Sequence, residues 1–298
     1  MASAEPPPLA QVDYSDGPIE ITVLPGLGAR LHRLRVYGHD LLRTPPEVQE
    51  HLSDPFYWGG FVMAPWCNRL AAKPVSVAGQ VIDLPANFRD GSAIHGQVYV
   101  RPWEVGTDGT LRVRGGGDGW PWPYEASLRV RLDKGTLRLE QSLRNLFDEP
   151  MPAGLGLHPW FRRPLHVAVR AQRVFVSNTD SAAQPQPVSG PHDLRRLAEM
   201  APDLDATWAE LTDPPVELTW PDLGLHATMS ISAQTRFVTA ASPDAVDAVA
   251  VEPQTHAPQG LRRLLNGEPG ALALLAPDDA LTLTTQITFE RLPGEGDA

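Results

Sequence analysis

The chain has 298 residues, 42% hydrophobic and 20% charged, and its 25 basic and 36 acidic side chains give a formal net charge of −11. That length permits one large all-β unit or two modest domains, and the acidic balance argues against nucleic acid or an anionic membrane as partner. A single cysteine, Cys67, excludes an intrachain disulfide, and no apolar run approaches the ~18 residues of a membrane helix.

The opening MASAEPPPLAQ has neither the basic start nor the apolar stretch of a secretory leader, so a cytoplasmic setting is expected. We read residues 1–18 as a frayed arm, 19–292 as one domain and 293–298 as a tail. Gly26-Leu27-Gly28 lacks a third glycine three residues on, and no helical pattern follows, so it is a turn and not a dinucleotide loop. Residues 45–52 suggest a turn or two of helix. Val75 and Val77 precede Ala78-Gly79, with Val81 and Leu84 beyond. Trp103 and Val105 likewise precede Thr107-Asp108-Gly109, with Leu111 and Val113 beyond. Gly115-Gly116-Gly117-Asp118-Gly119 has no Gly-Lys-Ser/Thr ending and is read as a flexible loop, not a phosphate cradle. Leu128, Val130 and Leu132 alternate with Arg129 and Arg131, turn at Asp133-Lys134-Gly135, and resume with Leu137 and Leu139. This predicts a hairpin with one wet face. Residues 182–187 form an exposed connection, and Asp193 caps a short helix over 194–200. Leu281, Leu283, Ile287 and Phe289 alternate with Thr282, Thr284, Gln286 and Thr288, and branched threonine on the outward face favours strand. Many short strands, many turns and few helices predict a large antiparallel β-sandwich.

Four segments carry polar side chains that neither a turn nor a core demands. They are Trp66-Cys67-Asn68-Arg69, Ile94-His95-Gly96, His158-Pro159-Trp160-Phe161 and Glu252-Pro253-Gln254. Singly, each has a plain structural reading: a core histidine, half of an ion pair, a surface carboxylate, a small buried thiol at Cys67. No His-Glu-x-x-His segment occurs, and a lone cysteine cannot build a thiolate zinc site. Metal and nucleotide chemistry are unsupported, and no cofactor is expected.

In order, these segments, with Gly79…Leu84-Pro85-Ala86-Asn87 and Pro258, resemble the aldose 1-epimerase (galactose mutarotase-like) family from about Gly28 to Phe289. The resemblance implies a large antiparallel β-sandwich with a sugar cleft on one face and a small-molecule sugar as partner. It implies Glu252 as general base and His158 as general acid. It also implies sugar binding by Asn68, Arg69, His95 and Asp205, with Asp203 a rival to Asp205. Arg236 stands where the family has a sugar-binding glutamine, and Trp160 where it usually has tyrosine. Arg69 or a protonated His95 is expected to hold the Glu252 pKa low, and Trp66, Trp160 and Trp208 are candidates to stack on a sugar face. Two other functions fit the same resemblance. One is an epimerase of a phosphorylated hexose, for which Arg30, Arg101, Arg162, Arg163 and Arg236 are candidate cations. The other is a non-catalytic sugar-binding module. Neither the sugar nor an oligomeric state follows from the sequence.

Overall fold

The computed structural model describes residues 10–180 and 182–293. The alternating segments become antiparallel strands, since a period of two turns every second side chain to the same face. The predicted hairpin is the pairing of Trp120–Asp133 with Thr136–Asn145, in register from Tyr124–Asn145 to Asp133–Thr136. Its inward Leu128, Val130, Leu137 and Leu139 are buried. Thr136–Asn145 pairs on its other edge with Ala280–Arg291, which in turn pairs with Leu225–Ser232.

The 17-residue strand Leu204–Trp220 joins two sheets. Its second half, Val216–Trp220, pairs with Leu225–Ser232 and so belongs to the sheet just described. Its first half, Leu204–Trp208, pairs with Phe237–Ser242, which leads through Ala248–Gln254 and Gly156–Arg162 to Gly60–Met63. His166–Phe175 runs along the other edge of both halves, with a register shift between Val169 and Ala171. One edge of a single strand thus feeds two diverging sheets, and the space between them holds one continuous core that includes Trp66, Trp120, Trp122, Trp208 and Trp220. The fold is the expected large antiparallel β-sandwich.

Three local expectations change, and the short helix expected over 45–52 is found as a single turn. Val12–Asp16, placed in a frayed arm, is a strand paired with Ile19–Leu24; residues 1–9 lie outside the described residues. Helix is confined to Glu50–Ser53 in the first candidate segment, and 194–200 contains no helix, only the short strand Ala198–Glu199. Asp193 spends its carboxylate on Arg195 instead of capping. Gly115–Gly117 is not a flexible loop but the end of the strand Leu111–Gly117, pressed against Tyr124: a Cβ at Gly115 would stand 2.0 Å from the ring.

Candidate active site

Sheet register assembles the site. Directly opposed residues on neighbouring strands share a face, so Phe61, His158, Glu252, Thr239 and Thr207 form one row across five strands, and Trp160, Ala250, Ala241 and Asp205 form the next row on that face. The middle of the second row is alanine, which leaves a floor with nothing standing on it. The resulting cleft encloses about 800 Å³ counting its open mouth, within the ordinary range for small-molecule sites. Its lining includes Asn68, Arg69, His95, His158, Asp203, Asp205 and Glu252, with Phe56, Tyr57, Phe88 and Trp160 as aromatic walls.

At the closed end, His158 Nε2 lies 3.2 Å from Glu252 Oε1. The imidazole is stacked on Phe61, ring centres 4.5 Å apart, and meets the His95 ring edge-on at 4.9 Å. Glu252 Oε2 accepts a hydrogen bond from Gln254 Nε2 at 2.9 Å, and Gln254 Oε1 accepts from Asn68 Nδ2 at 3.0 Å. Gln254 is fully buried, so this amide relay fixes the carboxylate from behind.

Asn68 and His95 are brought to the cleft by adjoining chain segments, and both have left-handed backbone, φ 53° and 61°. Such conformations cost roughly 1–3 kcal/mol and persist where surrounding contacts dictate them. Here the His95 N–H donates to the Asn68 carbonyl, while the Asn87 side chain bonds both the N–H and the carbonyl of Ile94. Gly96 follows with its backbone against Ala64, whose carbonyl oxygen would lie 2.0 Å from any added Cβ.

Burial controls the charges. It pushes the Glu252 carboxyl well above the usual carboxylate range; Asp205 adds to this, while the Gln254 hydrogen bond and the Arg69 charge oppose it. Burial lowers His158 to about 3, and lowers His95 well below an ordinary histidine. The expectation that cations hold Glu252 low therefore fails. His95 is neutral, Arg69 is committed to Asp90 at 2.7 Å, and desolvation outweighs the rest.

At the open end, Asp205 Oδ1 accepts from Asn178 Nδ2, and Asn178 Oδ1 accepts from Thr207, which bonds Thr239. Burial by the flanking walls raises the Asp205 carboxyl, opposed by the Asn178 bond and by Arg69. Asp203 also lines the cleft, with one oxygen taken by the Asp244 N–H.

The cleft thus gathers Asn68, Arg69, His95, His158, Asp205 and Glu252, residues drawn from sequence alone. Arg236 is a correction: it does not line the cleft, and its guanidinium is held by Asp213 and the Ile231 carbonyl. Nor do the other candidate cations. Arg30 is buried beneath Phe61, Arg101 pairs with Asp118, Arg162 donates to Leu42, and Arg163 donates to Ser242. Of the three tryptophans only Trp160 faces the cleft; Trp66 stacks on Trp120, and the Trp208 indole donates to the His192 carbonyl. Gln254, Asn178, Phe56 and Phe88 were missed. Gln254 had a signal, standing two residues from Glu252 on the same strand face; Asn178 had none.

The aldose 1-epimerase family model matches residues 20–287, and the chain belongs to that family. The uncharacterized protein YihR of Escherichia coli (strain K12) is 30% identical over 142 residues, a match spanning 45% of this chain and 44% of that protein, less than half the length of either. Among solved structures, a galactose mutarotase-like protein from Clostridium acetobutylicum superposes with a TM-score of 0.80 at 15% identity, over 95% of both chains. An Escherichia coli K12 protein provisionally described as an aldose 1-epimerase gives 0.79 at 20% identity, over 95% of this chain and 99% of that one. At these identities the likeness establishes the shared fold. No helix among the described residues is long and apolar enough to cross a membrane.

Proposed function

We propose that this protein is an aldose 1-epimerase that interconverts the α and β anomers of a sugar by opening and reclosing its ring. The observation that carries the proposal is the 3.2 Å approach of His158 Nε2 to Glu252 Oε1 at the closed end of a cleft whose alanine floor and aromatic walls leave space for a sugar.

The pair holds one proton in its working form. As carboxylate and imidazolium, Glu252 takes the proton from the C1 hydroxyl while His158 Nε2–H delivers one to the ring oxygen. The C1–O5 bond breaks and the aldehyde forms. The aldehyde rotates about C1–C2, and reclosure on the other face reverses both transfers. The sugar is neutral before and after ring opening, but the pair passes from ionic to neutral. A buried, poorly solvated setting favours a neutral pair, so the directions in which burial pushes Glu252 and His158 stabilise the ring-open stage. Asn68 and Gln254 aim the carboxylate, His95 abuts the acid, and Arg69 and Asp205 bind hydroxyls.

Polarimetry or NMR anomer exchange on freshly dissolved sugars tests this. Glu252→Gln is expected to lower the rate by at least ~10²–10⁴-fold with folding intact, and His158→Asn nearly as much; a wild-type rate in Glu252→Gln refutes the assignment. A phosphorylated hexose is the second reading: Arg30, Arg101, Arg162, Arg163 and Arg236 lie away from the cleft and Arg69 is paired with Asp90, while Arg89 lines the cleft and is the cation a phosphate would meet. Turnover of glucose against glucose 6-phosphate separates the two.

A further inference from the structure

The row of Phe61, His158 and Glu252 continues one strand further. Leu31 pairs with Gly60 across antiparallel strands, so Arg30 stands opposite Phe61 just as His158 does on the other side. Guanidinium, phenyl ring, imidazole and carboxylate follow one another along one line. Arg30 Cζ lies 4.9 Å from the Phe61 ring centre, and the imidazole is stacked on that ring at 4.5 Å. Arg30 is 1% exposed and does not line the cleft. Its guanidinium donates to the Trp58 and Tyr99 carbonyls at 3.0 and 3.4 Å. Its Nε has no partner, and no carboxylate pairs with it among the described residues. Burial lowers its pKa only to about 10, so it stays a cation at neutral pH. A buried charge without a counterion is costly, and a neutral side chain of similar length would pack on Phe61 without that cost. Packing alone does not account for an arginine here.

The charge acts on His158. Burial keeps His51, Tyr99 and His95 neutral, and Asp54 reaches Arg30 only through space. Arg69 and Asp205 act on Glu252 from the cleft side. Burial is the main cause of the low His158 pKa, a backbone hydrogen bond opposes it, and Arg30 adds to it. Two strand spacings of ~4.8 Å put Arg30 about 10 Å from His158. At that separation and an effective dielectric of ~20, a unit charge moves a titration by about one pH unit. We propose that Arg30 is a positioning residue for the general acid: through Phe61 it holds the imidazole in its stack, and its fixed charge disfavours the imidazolium, driving the Nε2 proton to the sugar's ring oxygen and the pair toward its neutral, ring-open stage. This rests on the anomerase reading above.

The test follows anomer exchange of glucose and galactose by NMR between about pH 2 and 6. Carbon-13-labelled histidine, assigned with His158→Asn, reports the His158 titration without sugar. Arg30→Met, neutral and of similar length, should move the acid limb of kcat/KM and the His158 titration up by about one pH unit. It should lower kcat at about pH 5 by roughly three- to tenfold and leave KM within about twofold. Arg30→Lys keeps the charge and loses the planar fork; it should return the limb to within ~0.3 unit of wild type and kcat to within about twofold. Arg30→Gln, neutral but able to bond a carbonyl, should behave as Arg30→Met, so a folding failure of one neutral variant leaves the other. The role is overturned if the neutral variants leave limb and titration in place. It is equally overturned if Arg30→Lys shifts them as far as Arg30→Met, the mark of a packing or hydrogen-bonding role. A wild type that anomerises no sugar would instead overturn the anomerase reading, and the labelled-histidine titration would still decide whether Arg30 acts on His158.

Discussion

Glu252 Oε1 and His158 Nε2 stand 3.2 Å apart, so their titrations belong to the pair. His158 takes a second proton only at about pH 3, and Glu252 gives up its proton well above ordinary carboxylates. Both shifts widen the span of pH over which the pair holds one proton. No limb from His158 is expected in the kcat/KM profile between pH 5 and 7; a limb there whose position does not move in Glu252→Asp, centred near ~6.5, the ordinary histidine value, would show His158 titrating as if exposed. The Gln254 bond favours the carboxylate form. Gln254→Leu should move the alkaline limb upward and lower kcat about tenfold, with KM changed less than twofold, because Gln254 aims the carboxylate without itself lining the cleft. Removing a residue that merely filled space would leave the limb where it was. Glu252, His158, His95, Asn68 and Arg69 were legible only together, because five short motifs in one order resemble the family where each alone has a plain structural reading. Arg236 was misplaced because position beside a motif does not say which way a side chain turns; a neighbouring aspartate decided that.

At the scale of elements, the segment after Glu252 locks the loop that presents Asn68. His256 Nε2 accepts the Cys67 N–H at 2.9 Å and its Nδ1 meets the Ala257 carbonyl at 2.8 Å, so the ring is neutral with its proton on Nδ1. Burial lowers its pKa to about 4. The unfolded chain protonates it near ~6.5, so the unfolded state binds more protons between those values, and stability falls as pH drops through that window. His256→Gln removes this titration. Its stability relative to wild type, from urea unfolding, should improve by up to about 3 kcal/mol between pH 7 and 4. Gly96→Ala should be strongly destabilising at any pH, by at least ~1–3 kcal/mol, since φ is 75° and the new Cβ meets the Ala64 carbonyl. Strands with a wet face were legible from alternation, as in Trp120–Asp133. The strand Ala248–Gln254 is buried at every residue, so it carries no alternation, and the residues over 194–200 misled because a capping aspartate is only a local signal, overruled by Arg195 and by pairing of Ala198–Glu199 with His166–Phe175.

Across the whole molecule, the core and the cleft are separable. Leu139 lies fully buried on Thr136–Asn145, in the sheet that does not carry the row of Phe61, His158 and Glu252. Leu139→Ala is expected to cost about 2–5 kcal/mol in urea unfolding while the folded variant keeps its KM within twofold; a changed KM would mean the sheets are mechanically coupled. The amino-acid sequence by itself determined the class of fold, through strand periodicity, and the candidate polar groups, through the order of motifs that resemble the family. Only the tertiary structure decided which polar groups meet. A row spanning five strands joins residues from position 61 to position 252, and a one-residue slip in any pairing would turn its side chain to the other face. The protonation states were likewise a tertiary outcome, because desolvation depends on everything packed around a group and not on its neighbours in the chain.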